Sequence, residues 1–170
     1  ANGVGVKQDL SQALQWIRQA AERGMSAAQY LLGTRYATGV GIEKDDHKAL
    51  VWYLKAAEQG NSKALYKIGR QYAVPHRDLS ITFLEQAAVQ GLADAQLALG
   101  NAFAAGSGVE QDYVQAMHWY RLAAEQDLAA AQCALAHLYA QGQGAVQDVD
   151  EAIDWYRKAA RQFFAEAQVA

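Results

Sequence analysis

The chain has 170 residues, 52% of them hydrophobic and 19% charged, without an acidic or basic tract; that is ample for a core and argues against bulk disorder. Lys and Arg number 15 against 18 Asp and Glu, a net charge of −3, and no basic cluster of the kind that neutralises phosphates is present, which excludes a nucleic-acid partner. No apolar run is long enough to cross a bilayer, and the single cysteine, Cys133, excludes an internal disulfide and a cysteine-cluster zinc site.

The chain opens "ANGVGVKQD", without the basic and apolar regions of a signal peptide. After "GVGV" (3–6), Asp9 is expected to start a helix that carries Ala13, Trp16 and the alanine pair 20–21 and stops at Gly24. A helix beginning near Ser26 then carries Ala28, Leu32, Gly33 and Tyr36 on one stripe and ends at "GVGI" (39–42). Asp45 starts its partner, with Ala49, Trp52, Ala56 and Ala57 at i, i+3, i+7 and i+8, and Gly60 ends it. The next pair starts near Ser62, with Ala64, Gly69 and Tyr72. "VPHRD" (74–78) stands there in place of a glycine turn, Phe83 takes the Trp slot, and Gly91 closes the pair. From Asp94 onward the first pattern returns: Ala95, Gly100, Phe103, "GSGV" (106–109), Asp112, Ala116, Trp119 and the alanines 123–124. It returns again with Ala131, Ala136, Tyr139, "GQGA" (142–145), Asp148, Ala152, Trp155 and the alanines 159–160.

The period is 36 residues, shortened to 31 in the middle copy. A glycine-rich stretch before a helix can bind phosphate, but a nucleotide enzyme needs one such loop and here it recurs four times, without the Lys-Ser/Thr ending. The loops therefore read as structural turns in which glycine supplies positive φ. Ser26, Ser62, Asp94 and the recurring Asp are the expected N-caps, and Gly24, Gly60 and Gly91 the expected C′ residues. The Trp and Tyr slots read as core, Cys133 as a buried thiol. Asp127 and Phe163 stand where a C′ glycine is expected, which predicts strained corners, and Ala136 replaces a packing glycine.

One helix pair cannot bury its own stripe, but stacked pairs can, which is an α-solenoid. The expected divisions are a partial repeat over 1–24, repeats over 25–60, 61–91, 92–127 and 128–163, and the start of another over 164–170, as in a fragment of a longer array. Uncapped ends of this kind predict self-association.

The pattern A-x4-G-x2-Y-x2-G-x-G, then the Asp, A-x2-W, alanine pair and glycine, is met almost fully over Ala28–Gly60 and nearly so from Ala95 and from Ala131. It resembles the Sel-one-like repeat (SLR) family, relatives of the tetratricopeptide repeats. The resemblance implies an all-α, right-handed superhelical solenoid of antiparallel helix pairs. It also implies a non-enzymatic scaffold or adaptor that binds a partner protein or peptide on its concave face. No cofactor, metal or membrane insertion is implied. Bacterial members serve envelope assembly, secretion or host contact, so a bacterial envelope or periplasmic location is the expectation. Two alternatives stand beside this reading. One is a self-associating structural rod. The other is a β-lactam-binding or hydrolysing enzyme like the cysteine-rich branch, although that branch carries a cysteine pair per repeat and this chain has one cysteine.

Catalytic signals are weak: the four histidines show no metal-ligand spacing, and "HRDLSITF" (76–83) lacks the Asn of a kinase catalytic loop. Variable positions on the first helices are the expected contact surface. They lie three, six, seven and ten residues after the leading alanine: Leu31, Thr34, Arg35 and Thr38; Lys67, Arg70, Gln71 and Val74; Ala98, Asn101, Ala102 and Ala105; and Ala134, His137, Leu138 and Gln141. Tyr30 and Tyr66 flank them as aromatic anchors. Among these the partner-binding candidates are Tyr30, Leu31, Arg35, Tyr66, Lys67, Arg70, Asn101 and His137. Arg35, Lys67 and Arg70 make one end basic, suited to an acidic segment.

Overall fold

The computed structural model describes residues 3–71 and 77–167, with side chains over 11–71 and 79–162. Tyr72, Val74 and most of "VPHRD" lie outside them. Nine helices make up the described chain: α1 (Gly3–Glu22), α2 (Ser26–Thr38), α3 (Asp46–Ala57), α4 (Ser62–Gln71), α5 (Arg77–Val89), α6 (Ala93–Ala105), α7 (Tyr113–Ala124), α8 (Ala129–Gln141) and α9 (Val149–Ala167). No strand occurs among the described residues. Residue contacts divide the chain into two compact units, Ala1–Ile68 and Gly69–Ala170. Within the units α2 packs on α3, α6 on α7 and α8 on α9 as antiparallel pairs, and α1 on α2, α5 on α6 and α7 on α8 join successive pairs.

Local chemistry explains where the helices stop. Gly39, Gly106 and Gly142 take φ between +65° and +73° immediately after α2, α6 and α8, a conformation cheap only for glycine. The second helices begin where a carboxylate accepts from orphan amides of the first turn: Asp45 from Lys48 N–H, Asp112 from Val114 and Gln115 N–H, and Asp148 from Glu151 N–H. The expected glycine turns and Asp caps are therefore present in these three copies. In the first copy, α1 runs unbroken through "GVGV" and Asp9, so neither the turn nor the cap forms there. The described chain has no preceding helix for such a turn to terminate.

The first helices start differently from expectation. Met25, Leu92 and Leu128 occupy the cap positions of α2, α6 and α8, without a side-chain bond. Ser26 lies one residue inside α2 and donates to the Ala56 carbonyl at 3.4 Å. At α4 the acceptor is Asn61, whose Oδ1 takes the Ala64 N–H at 3.1 Å and whose amide donates to Ser26. Ser62 and Asp94 are likewise within their helices rather than capping them.

The alanine pairs close α1, α3, α5 and α7. Gly24, Gly60, Gly91 and Asp127 each donate N–H three residues back to the second alanine, and the next residue donates five back to the first, a Schellman closure. Asp127 does this with φ +61°, the one non-glycine at positive φ among the described residues. Left-handed backbone costs a side chain about 1 kcal/mol. Asp127→Gly is therefore expected to raise the urea midpoint of unfolding slightly, by at most about 0.5 kcal/mol of stability once the entropy of the freer unfolded glycine is subtracted. A lowered midpoint would show that the corner is unstrained. At Phe163 there is no corner, because α9 continues to Ala167.

Buried glutamines stitch the repeats. Gln29, Gln96 and Gln132 are 6%, 4% and 1% exposed. Each donates to the second alanine of the preceding pair, Ala21, Ala88 or Ala124, at 3.1–3.3 Å. Each also accepts from a glutamine 30 residues later, Gln59, Gln126 or Gln162, at 2.7–2.9 Å. In the middle copy Leu65, 2% exposed, stands in that position.

The core itself corrects the expectation for the aromatic slots. Trp16 is 70% exposed, and Trp52, Trp119 and Trp155 are only half-buried. The core residue is the one after the Trp slot: Tyr53 at 3%, Leu84 at 6% and Tyr120 at 5%. These side chains lie on the backbone of the first helix at Gly33, Gly69 and Gly100. Where Ala136 replaces the glycine, Tyr156 is 42% exposed.

Candidate partner-binding surface

On α2, positions 31, 34, 35 and 38 recur at helical spacing on one outward stripe. Leu31 is 44% exposed, Arg35 is half-exposed in the last turn, and the Tyr30 ring is half-buried against Tyr53 at 5.7 Å between centroids. The threonines are engaged locally. Thr34 donates to the Tyr30 carbonyl at 3.0 Å and accepts from the Tyr53 hydroxyl at 3.3 Å, and Thr38 donates to the Thr34 carbonyl at 2.8 Å. On α4, Tyr66 is half-buried, with Lys67 exposed beside it. Leu31, Arg35 and Lys67 thus have solvent-facing heads, one apolar and two cationic.

In the second unit Arg70, Asn101 and His137 are exposed. Asn101 also has a packing role, since its Oδ1 accepts from the Tyr120 hydroxyl at 2.8 Å. Burial pushes the Tyr53 and Tyr120 phenols above their ordinary range, so both remain donors at neutral pH. Two of the expected surface positions are core instead. Ala102 is 8% and Leu138 3% exposed, because position seven after the leading alanine turns toward the neighbouring helices in these two copies. Cys133 is half-exposed rather than buried, in the slot that Tyr30 and Tyr66 fill earlier.

Sequence reasoning missed the buried glutamines and the Tyr after the Trp slot. The signal was there: Gln29, Gln96 and Gln132 all directly follow the leading alanine. Among the described residues no group of three or more His, Cys, Asp or Glu is placed to hold a metal, and no helix is long and apolar enough to cross a membrane.

The Sel1 repeat model matches residues 1–25, 26–61, 93–128 and 129–162. The chain belongs to the Sel1-repeat family. Its tetratricopeptide-related α-solenoid fold is typical of non-catalytic interaction scaffolds. The Sel1 matches pass over 62–92, the copy with the short spacing and Leu65.

The fold is similar to that of a protective antigen of uropathogenic Escherichia coli strains displaying an SLR fold, with 38% identity and a TM-score of 0.85. That match covers 88% of this chain and 33% of the antigen. A Sel1 repeat protein from Oxalobacter formigenes is 35% identical with a TM-score of 0.83, over 89% of this chain and 46% of that one. The chain therefore spans one third to under half the length of these two relatives. The cysteine-rich protein B of Helicobacter pylori, 23% identical over 69% of this chain and 88% of its own, shares the fold at a TM-score of 0.56. A comparison with curated proteins gives no match.

Proposed function

We propose that this Sel1-repeat array captures a peptide segment of a partner protein on the outward stripe of its first helices. Tyr30, Leu31 and Arg35 of α2 and Tyr66 and Lys67 of α4 form the contact in the first unit. Arg70, Asn101 and His137 offer the same kind of face in the second. The observation that carries this reading is Leu31, a large aliphatic side chain 44% exposed between a half-buried tyrosine and an arginine on a helix whose other large apolar residues are packed. An apolar group rimmed by an aromatic and cations suits an acidic segment with an aliphatic anchor. The bacterial sources of these two relatives, one of them a protective antigen, support a place at a bacterial cell envelope.

One experiment addresses face and location together. The chain is immobilised and presented separately with envelope and cytosolic fractions of a bacterial lysate, alongside a Leu31→Asp, Lys67→Glu variant with unchanged circular dichroism and melting temperature. The expected result is a protein retained from the envelope fraction and reduced about tenfold by the variant. Equal retention by both would rule out this face. Retention from the cytosolic fraction alone would rule out the envelope.

A further inference from the structure

A cleft of about 340 Å³ opens in the first unit where α1 meets the α2–α3 connection, lined by Arg18, Tyr36, Glu43, Lys44, Asp45 and Lys48 among others. The repeats themselves show why it opens here. Where α7 meets α8, Arg121 and Tyr139 hold the places of Arg18 and Tyr36, and the Arg121 guanidinium donates to the Tyr139 hydroxyl. Gln111 and Gln147 hold the place of Lys44, and each side chain folds back to donate to a carbonyl of the preceding helix, Ala104 or Ala140, at 2.7–2.8 Å. Lys44 instead reaches outward to Asp46 at 3.3 Å. Glu151 holds the place of Lys48 in the last repeat, so a charge is inverted here.

The electrostatics of the cleft are those of a weak anion site. Lys48 pairs with Asp45 at 3.0 Å and lies 5.7 Å above the Tyr36 ring. Asp45 has one oxygen on the Lys48 N–H as the cap of α3, so the helix N-terminus is already served by a carboxylate. Arg18 has no hydrogen-bond or ion-pair partner among the described residues. Lys44 pairs with Asp46 and Lys48 with Asp45, which leaves Arg18 as the cation of the lining without a carboxylate partner and Glu43 as the remaining acidic group. One unpaired guanidinium suits one carboxylate, and Glu43 and Asp45 in the lining disfavour a phosphate dianion, which would meet both at short range.

We propose that this cleft receives a carboxylate of the captured peptide, with Arg18 as the two-pronged donor, the Tyr36 hydroxyl as a second donor and Lys48 as the closing charge. Guanidinium and carboxylate match in plane and spacing, so a single contact orients as well as attracts. The inference rests on the peptide-capture reading above and adds to it a specific recognition point, away from the outward stripe of α2.

The test is a titration of the 170-residue chain with a fluorescein-labelled hexaglutamate peptide amidated at its C-terminus, read by anisotropy at low salt. Saturable binding is expected, weakened about tenfold by Arg18→Gln and more by Arg18→Glu. Neither substitution should change the melting temperature, because Arg18 is exposed. Competition with unlabelled hexaglutamate, with a hexa-alanine bearing a free C-terminus and with inorganic phosphate separates the sources of the anion. Displacement by hexaglutamate alone assigns a side-chain carboxylate, and displacement by hexa-alanine assigns the terminal one. Stronger displacement by phosphate than by either peptide would overturn the proposal. So would the absence of saturable binding, or affinities within about twofold of wild type in both Arg18 variants. The Leu31→Asp, Lys67→Glu variant separates the two readings. If it keeps the natural partner while Arg18→Glu loses hexaglutamate, the stripe is wrong and the cleft stands; the opposite pair of results rejects the cleft and keeps the stripe.

Discussion

Gln132→Glu is expected to destabilise the second unit by on the order of 3–5 kcal/mol at neutral pH, although the substitution changes one atom. Gln132 is 1% exposed, and its amide nitrogen donates to the Ala124 carbonyl. A carboxylate cannot donate there, and its charge would lie against a carbonyl oxygen in a place without water. Burial would therefore raise the folded-state pKa of the new glutamate above its unfolded value of about 4.3. With more protons bound in the folded state, stability falls as pH rises. The penalty is absent below the unfolded pKa, grows as pH climbs above it and is complete once the folded pKa is passed. Urea unfolding of the variant at a series of pH values checks this. A constant difference from wild type between acid and neutral conditions would refute a buried charge. Gln132→Leu provides the comparison. Ala124 still accepts the Asp127 N–H, Gln162 is half-exposed and can be hydrated, and Leu65 already occupies the equivalent site. Its cost should be only about 1–2 kcal/mol.

The second large effect is expected at Gly100. A Cβ there would lie 2.5–2.6 Å from Tyr120 ring carbons and 3.3 Å from the Ala116 carbonyl. Alanine favours a helix over glycine by about 1 kcal/mol, but overpacking a core costs about 1–3 kcal/mol. The ring has little freedom to retreat, because Tyr120 is 5% exposed and its hydroxyl is tied to Asn101. Steric conflict should win, leaving Gly100→Ala about 1–2 kcal/mol less stable and its melting temperature lower by several degrees. The last repeat supplies the contrast, since Ala136 is fully buried while Tyr156, in the place of Tyr120, is 42% exposed. A Gly100→Ala variant as stable as wild type in thermal unfolding would show that the tyrosine swings out without cost. A crystal structure would then find Tyr120 placed like Tyr156.

The parts of the fold that were legible in the sequence are those fixed by backbone conformation. Positive φ demands glycine at 39, 106 and 142, and an orphan N-terminal amide favours Asp at 45, 112 and 148, so each turn carries its cause in one residue type. Packing is less local. Trp52 and Tyr53 are neighbours of similar size, and which of them reaches the core depends on the glycine opposite, at Gly33, rather than on either residue. Gln29 is polar and reads as surface until the Ala21 carbonyl and Gln59 are placed around it. The candidate surface was legible where exposure follows helical spacing, as at Leu31 and Lys67. It failed where a neighbouring helix covers the same register, as at Ala102 and Leu138. The cleft at Arg18 had no sequence signature of its own, because it arises from what Lys44 does not do.

The glutamine stitching also bears on how such chains change length. Each bond joins a residue to one 8 positions back or 30 ahead, so every donor finds its acceptor within one period. Removing 93–128 would join Leu92 to Ala129, present the Ala88 carbonyl to Gln132 in place of Ala124, and leave the Gln132–Gln162 pair untouched. Whole units can be duplicated or deleted and every buried polar group finds an equivalent partner at the new junction. Partial deletions strand one. A gene built this way can grow or shrink by unequal recombination without an intermediate that fails to fold, and relatives two to three times as long need no new structural invention.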